Sequence, residues 1–243
     1  MTLDQNSALL AIASSLRVGC ASTGSWGSGF VHSSGLVVTA AHVISGCDPK
    51  SIQLIPNSGS VVSGTQQAID PRLDLAIIKP AQDLGTGMRV RTGPLSIGMP
   101  VATWGYPMGY LGIRSLLTMG YLAGESPNVS NGPARLWVNG AFNSGNSGGP
   151  LVLASTGEVI GVVSAKLAPV PPEIEQALQV MANQPSGVIY TATKPDGSTQ
   201  NLSEGQVIAT VLQYLRGQVQ LVIGMAVSAN DLSAFLTANG IAP

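Results

Sequence analysis

One segment of this chain has the residue types and spacing of a nucleophile loop: Asn143-Ser144-Gly145-Asn146-Ser147-Gly148-Gly149-Pro150. A nucleophilic serine needs an exposed hydroxyl beside backbone N–H groups that converge on one point. Glycines on both sides let the chain adopt positive φ and let another backbone come close. The loop can therefore form an oxyanion hole from the N–H groups of Gly145 and Ser147. Gly-Ser-Gly alone would mark only a turn. Gly-Asn-Ser-Gly-Gly-Pro running into the apolar Leu151-Val152-Leu153 is far more specific.

A serine hydroxyl is a weak nucleophile without a base. The chain has two histidines, His32 and His42. His42 lies in Thr39-Ala40-Ala41-His42-Val43, directly after the apolar run Leu36–Val38, where small residues let a strand end turn and aim an imidazole outward. His32 sits inside a strand-like run with no partner motif and reads as structural. The base in turn needs a carboxylate to hold its tautomer and stabilise the imidazolium. Asp74 stands immediately before the apolar run Leu75-Ala76-Ile77-Ile78, a place where an acid is costly to bury unless something pairs with it. Asp70 competes, but Pro71 follows it and marks a turn. The expected catalytic set is His42, Asp74 and Ser147.

These residues need a scaffold of strands. From Val18 to Leu153 the pattern is short apolar runs broken by Gly, Pro, Asn and Ser, such as Leu36–Thr39, Ile52–Ile55 and Val101–Trp104. Runs of this length, rich in branched residues and closed by turn signals, read as the strands of barrels or a sandwich. An N-terminal helix over residues 1–17 is expected, with Leu9, Leu10, Ile12, Ala13 and Leu16 on its buried side. After Lys166 the character changes. Ala168–Pro172 is a stiff connector, and a helix follows from Pro172 to Gln184. Gly187–Thr193 reads as a strand, and a helix from about Glu204 to Arg216 opens on the capping box of Ser203 and Gln206. A last helix starts after Ser228, with Asp231 completing its box, and stops at Asn239-Gly240.

Composition bounds the rest. The 243 residues suffice for a large core, 44% are apolar and only 9% charged, so a disordered chain is excluded. A formal net charge of -1 supplies no basic field for nucleic acid or an anionic membrane. No apolar run reaches the roughly 18 residues of a membrane span. No cofactor is expected, and the two histidines and two cysteines show no metal-ligand spacing. Cys20 and Cys47 read as free buried thiols, with a disulfide between them possible; neither sits in a nucleophile motif. Asp4 and the lack of Lys or Arg before Ser7–Leu16 are wrong for a secretory leader, which favours a cytoplasmic protein, or a periplasmic or secreted one if a leader was removed.

Trp26-Gly27-Ser28-Gly29-Phe30, Thr39–Val43, Asp74–Lys79 and Gly145–Pro150 resemble the successive signatures of trypsin-like serine proteases, and most of all the HtrA/Deg branch. Gly105–Gly109, Glu158–Ser164 and Val222–Val227 are further echoes. The order His, Asp, Ser matches that of chymotrypsin and differs from subtilisin and the α/β-hydrolases. The resemblance implies an all-β, chymotrypsin-like fold of two six-stranded β-barrels. The first would span 18–95, and the second 96–165 with 219–229. An insertion (166–218) lies inside the second barrel, and a C-terminal helix covers 230–243. It implies a serine endopeptidase acting on proteins or peptides through an acyl-enzyme. Ala141 would form the base of the specificity pocket, with Phe142 beside it and Ser164, Ala165 and Lys166 along one wall. With no acid at the base, an apolar residue is expected before the cleaved bond, and Lys166 leaves room for an acidic one. The chain ends after the last helix, so the PDZ domain common in that branch is expected to be absent. The insertion could be a lid, a subunit interface or extra core, and trimers built through Leu3–Leu16 are a further implication. The rival expectations are a protease fold that only binds or chaperones, and an esterase on the same scaffold.

Overall fold

The computed structural model describes residues 4–127, 133–164, 172–193, 196–218 and 223–243. In chain order its elements are α1 (Gln5–Ser14), β1 (Ser15–Cys20), β2 (Ser25–Val31), β3 (Val37–Thr39), α2 (Ala41–Ile44), β4 (Ile52–Pro56), β5 (Val62–Asp70) and β6 (Leu75–Pro80). These are followed by β7 (Pro100–Gly105), β8 (Leu116–Ser126), β9 (Arg135–Asn139), β10 (Pro150–Leu153), β11 (Val159–Val163), α3 (Pro172–Asn183), β12 (Ile189–Thr193), β13 (Thr199–Ser203), α4 (Glu204–Gln218), β14 (Ile223–Ser228) and α5 (Ala229–Ala238).

Two closed, six-stranded antiparallel barrels form the body. The first runs in the order β1-β2-β3-β6-β5-β4 and the second β10-β11-β14-β9-β8-β7. Closure removes the open edges that would otherwise recruit other strands. The period of two sorts the side chains. Leu16 and Val18 on β1 join Val37, Ile52, Leu54 and Ile78 inside the first barrel. Val101, Leu122, Leu136, Val138, Leu151 and Ile160 fill the second. A third cluster joins the barrels, bringing Phe30, Val38, Leu75 and Ile77 against Trp104, Val152, Val162 and Phe235.

The start of the chain differs from expectation. The N-terminal helix stops at Ser14, and Ser15–Cys20 is a strand paired with both β2 and β4. Leu16 is thus a barrel residue, because pairing on two sides outweighs its helical spacing. The helix also presents another face: Leu9 and Ala13 are exposed, whereas Ala11 and Ser14 are buried. Small side chains let it lie close to the body, with Ser14 Oγ donating to the Thr86 carbonyl. Asp4 caps its start by accepting from the Ser7 N–H.

Strand β14 pairs with β11 and β9, so the second barrel closes with a strand from beyond residue 222. The segment Leu167–Gln220 is a separate compact unit. Within it β12 and β13 form a hairpin and α3 packs on α4. Its capping box is present, with Ser203 N–H donating to Gln206 Oε1 and Gln206 N–H to Ser203 Oγ. Ser228 caps α5 by accepting from Asp231 N–H, but Asp231 does not complete a box: its carboxylate accepts from Ser228 Oγ and Ala134 N–H, while Ser228 N–H donates to the Ala134 carbonyl.

Candidate active site

His42 sits on α2, a single turn entered directly from β3. Asp74 occupies the tight turn before β6, at φ +62°, a left-handed conformation that costs most side chains energy but is tolerated by Asp and Asn. Because β3 and β6 are neighbours in the first barrel, histidine and carboxylate emerge side by side. His42 Nδ1 is 2.9 Å from Asp74 Oδ1 and 3.0 Å from Oδ2, and the His42 backbone N–H donates to Oδ1 at 3.1 Å. The Asp74 side chain is buried, while that of His42 is 40% exposed, so the imidazole is held on one side by the carboxylate and open to solvent elsewhere. Burial pushes the Asp74 carboxyl upward, but the bonds and charge of His42 and the Ser164 hydroxyl outweigh it and hold the pKa below its ordinary value. Asp70 serves its own turn, accepting from the N–H groups of Arg72 and Leu73. His32 is buried at the end of β2, hydrogen-bonded to Ser34, and burial lowers its pKa.

Ser147 lies in the turn before β10 and is docked on the first barrel. Its carbonyl accepts from Ser28 N–H at 2.8 Å. Gly27 needs to lack a side chain, since a Cβ there would lie 2.9 Å from that carbonyl and 2.6 Å from Val43. Gly148, at φ +87°, approaches so closely that a Cβ would fall 2.3 Å from Thr39 Oγ1 and 2.8 Å from Ala40 N. The serine turn therefore rests on the segment that carries His42. Hydrogen bonds to β2, to β11 and within the loop hold it in place. Ser144 C=O accepts from Met108 N–H, Gly145 C=O from Ser28 Oγ at 2.7 Å, and Asn146 C=O from Gly149 N–H. A trans peptide points its N–H opposite to its C=O, so these anchors fix the directions of the Gly145 and Ser147 N–H groups.

The sequence reading gave Ser28 no site role and placed Ser164 only on the specificity wall. Ser28 is fully buried; its hydroxyl donates to Gly145 C=O and accepts from Tyr106 N–H at 2.9 Å, and its carbonyl accepts from Thr39 Oγ1. Ser164, expected on the specificity wall, donates its hydroxyl to Asp74 Oδ2 at 2.5 Å. The local signal for Ser28 was its place in Trp26-Gly27-Ser28-Gly29, but nothing there names its partner 117 residues away. Phe142 is buried with its ring against Gly224, where a Cβ would sit 2.3 Å from it, and Ala141 is half-buried. Ala165 and Lys166 lie outside the described residues.

Cys20 and Cys47 are disulfide-bonded rather than free, because β1 and the turn after α2 bring their Cα atoms to 5.8 Å. The bond ties the segment following His42 to the barrel. Among the described residues, no three of His, Cys, Asp and Glu are placed to hold a metal ion, and no helix is long and apolar enough to cross a membrane.

A family model for the trypsin-like peptidase domain matches residues 27–162. The putative serine protease HhoB of Synechocystis is 36% identical over 152 residues, covering 57% of this chain and 34% of that protein. Mouse serine protease HTRA4 is 34% identical over 150 residues, covering 58% and 30%. A probable periplasmic serine endoprotease, DegP-like, of Bartonella henselae is 30% identical over 156 residues, covering 59% and 28%. The chain thus matches about a third of the length of these curated relatives. Among solved structures, the active form of the Rv3671c protease of M. tuberculosis superposes with a TM-score of 0.62 at 19% identity, covering 99% of this chain and 87% of that one. The HtrA-type protease AlgW with a tripeptide gives 0.60 at 22% identity, covering 79% and 69%.

Proposed function

The chain belongs to the trypsin-like peptidase family, and from that membership we propose that it is a serine endopeptidase whose triad is Ser147, His42 and Asp74. The observation that carries this reading is the grip of Asp74 on His42 Nδ1, at 2.9 and 3.0 Å, beside a glycine-flanked serine docked on the same segment. A carboxylate bound at Nδ1 keeps the proton there, so Nε2 is the basic nitrogen.

In the proposed reaction Ser147 Oγ attacks the scissile carbonyl while His42 Nε2 takes its proton. The imidazolium is stabilised by Asp74. The Gly145 and Ser147 N–H groups, aimed by the anchored carbonyls, receive the oxyanion. The tetrahedral intermediate collapses, His42 gives its proton to the leaving amine, and an acyl-enzyme forms on Ser147. Water, deprotonated by His42, then releases the acyl group by the same steps in reverse. Ser164 and Ser28 are positioning residues for Asp74 and the oxyanion loop.

For the residue before the scissile bond, small or medium apolar side chains suit a pocket built from Ala141, Phe142 and the backbone at Ser164. The Cys20–Cys47 bond supports an oxidising compartment over the cytoplasm, since disulfides persist outside reducing environments. The Bartonella relative's name, which places that protein in the periplasm, agrees with this.

The test is labelling with a fluorophosphonate probe together with turnover of an unfolded protein substrate. Wild type is expected to be labelled at Ser147 and to cut the substrate. Ser147→Ala should lose the label and about 10⁶-fold of turnover. A wild type that is folded yet neither labelled nor active would instead support a protease fold used for binding. Cleavage sites dominated by Arg or Lys would refute the apolar preference.

A further inference from the structure

A cleft of about 400 Å³ opens next to Gly145, walled by Arg17, Trp26, Tyr106, Met108 and Tyr110. It is built on the outer face of β1 and β2. Strand pairing sets Gly19 opposite Trp26, and the indole lies flat on that glycine, where a Cβ would fall 2.2 Å from the ring. Arg17, two residues earlier on the same face, donates to the carbonyls of Tyr110 and Gly112, both at 3.2 Å, and its guanidinium stands 4.9 Å from the centre of the Tyr106 ring. No Asp or Glu among the described residues forms an ion pair with Arg17. Tyr106 is fixed from behind, its hydroxyl donating to Asn57.

Three features mark this as a place for a substrate side chain. The volume falls within the range of about 300–1,000 Å³ typical of ligand clefts. Trp26 and Met108 leave 44% and 70% of their surface in water, although each would gain by being covered. The wall is also continuous with the reacting centre, through Gly145 itself and through the Met108 N–H that anchors Ser144 C=O.

We propose that this cleft receives a large apolar or aromatic side chain from one of the two substrate residues that follow the scissile bond, and that Arg17 excludes Lys and Arg from it. The inference rests on the peptidase reading above and names a selectivity that reading does not contain. An extended chain advances about 3.3 Å per residue, so a cleft touching the oxyanion loop is within reach of only the nearest positions. The acyl side of the substrate is assigned to Ala141, Phe142 and Ser164, none of which lines this cleft. The leaving side is what remains. Aromatic walls and a thioether favour an aromatic or branched guest, and the guanidinium, which has no carboxylate partner among the described residues, adds a cation–π contact to aromatic guests while repelling cationic ones.

The experiment uses internally quenched peptides with one fixed acyl-side sequence and every residue type at the first two leaving-side positions. At one of these positions, Phe, Trp, Leu or Met is expected to raise kcat/KM about 10-fold or more over Gly, since a single methylene in an apolar pocket is already worth about 10–200-fold. Lys and Arg are expected to fall below Gly. Trp26→Ala and, as a change on an exposed side chain that spares folding, Met108→Ala should each shrink the aromatic-to-Gly ratio within the same variant. Arg17→Gln should raise the Lys-to-Gly ratio. A flat leaving-side profile in enzyme labelled at Ser147 overturns the subsite and leaves the peptidase reading standing. Absence of both labelling and cleavage overturns the two together.

Discussion

Replacing Asp74 with Asn isolates the charge behind His42. The residue sits at φ +62°, which asparagine tolerates nearly as well as aspartate, so the turn is retained. Oδ1 accepts from the His42 N–H and Nδ1, and Oδ2 from Nδ1 and Ser164 Oγ. An amide oxygen in the Oδ1 position keeps the first two bonds, and the Ser164 hydroxyl can rotate to accept from the amide nitrogen. What disappears is the negative charge beside an imidazole that becomes cationic as it takes the serine proton. At 2.9 Å and an effective dielectric constant of about 20, that attraction is about 6 kcal/mol, or about four powers of ten in rate. kcat/KM for a quenched peptide is therefore expected to drop about 10⁴-fold in Asp74→Asn, with rates normalised to folded protein by circular dichroism and thermal melting. A loss of less than 10-fold would refute Asp74 as the acid of the triad.

The same substitution has a stability signature with a definite sign. The Asp74 carboxyl is held below its ordinary value of 3.8 in the folded protein, so folding favours the ionised form. Its contribution is fully present above that value and is lost as the pH falls through the folded pKa. Wild type should thus lose an acid-sensitive increment of stability below about pH 4 that the Asn variant lacks, and the gap in Tm between them should close on acidification.

Ser28→Ala strips the hydroxyl that holds Gly145 C=O and receives Tyr106 N–H. Leaving those two groups unsatisfied costs about 1–3 kcal/mol each. Because the loss falls on the oxyanion loop, kcat should drop about 10- to 100-fold, below the effect of deleting an oxyanion donor outright, while KM changes less than about 3-fold. Affinity for a peptide boronate, which mimics the tetrahedral state, should fall by the same factor as kcat, and an unchanged kcat would reject the positioning role. Reducing Cys20–Cys47, which closes a loop of sequence separation 27, should lower unfolding free energy by about 3–4 kcal/mol in the chain-entropy picture, measurable by urea unfolding with and without reductant. Identical midpoints would show that the bond contributes nothing to stability.

What the amino-acid sequence determined by itself were the features whose causes are local. A glycine-bracketed serine, a histidine in a small-residue strand end and an acid at the foot of an apolar strand carry the chemistry proposed for them in their immediate neighbours, and the helix caps at Ser203 and Ser228 are set within three residues. The two-barrel arrangement came through resemblance to a family, not through periodicity. Tertiary structure alone decided the rest. Leu16 has helical spacing yet becomes a strand residue, because β2 and β4 flank it with two ladders of hydrogen bonds. Cys20 meets Cys47 only when β1 and the turn after α2 are packed together. The hydroxyl of Ser28 finds Gly145, and that of Ser164 finds Asp74, across separations of 117 and 90 residues. Arg17 reaches Tyr110 across 93 more. Such bonds join groups that are neighbours only after both barrels have closed, and a backbone carbonyl seeking a donor leaves no mark on the residue type that carries it.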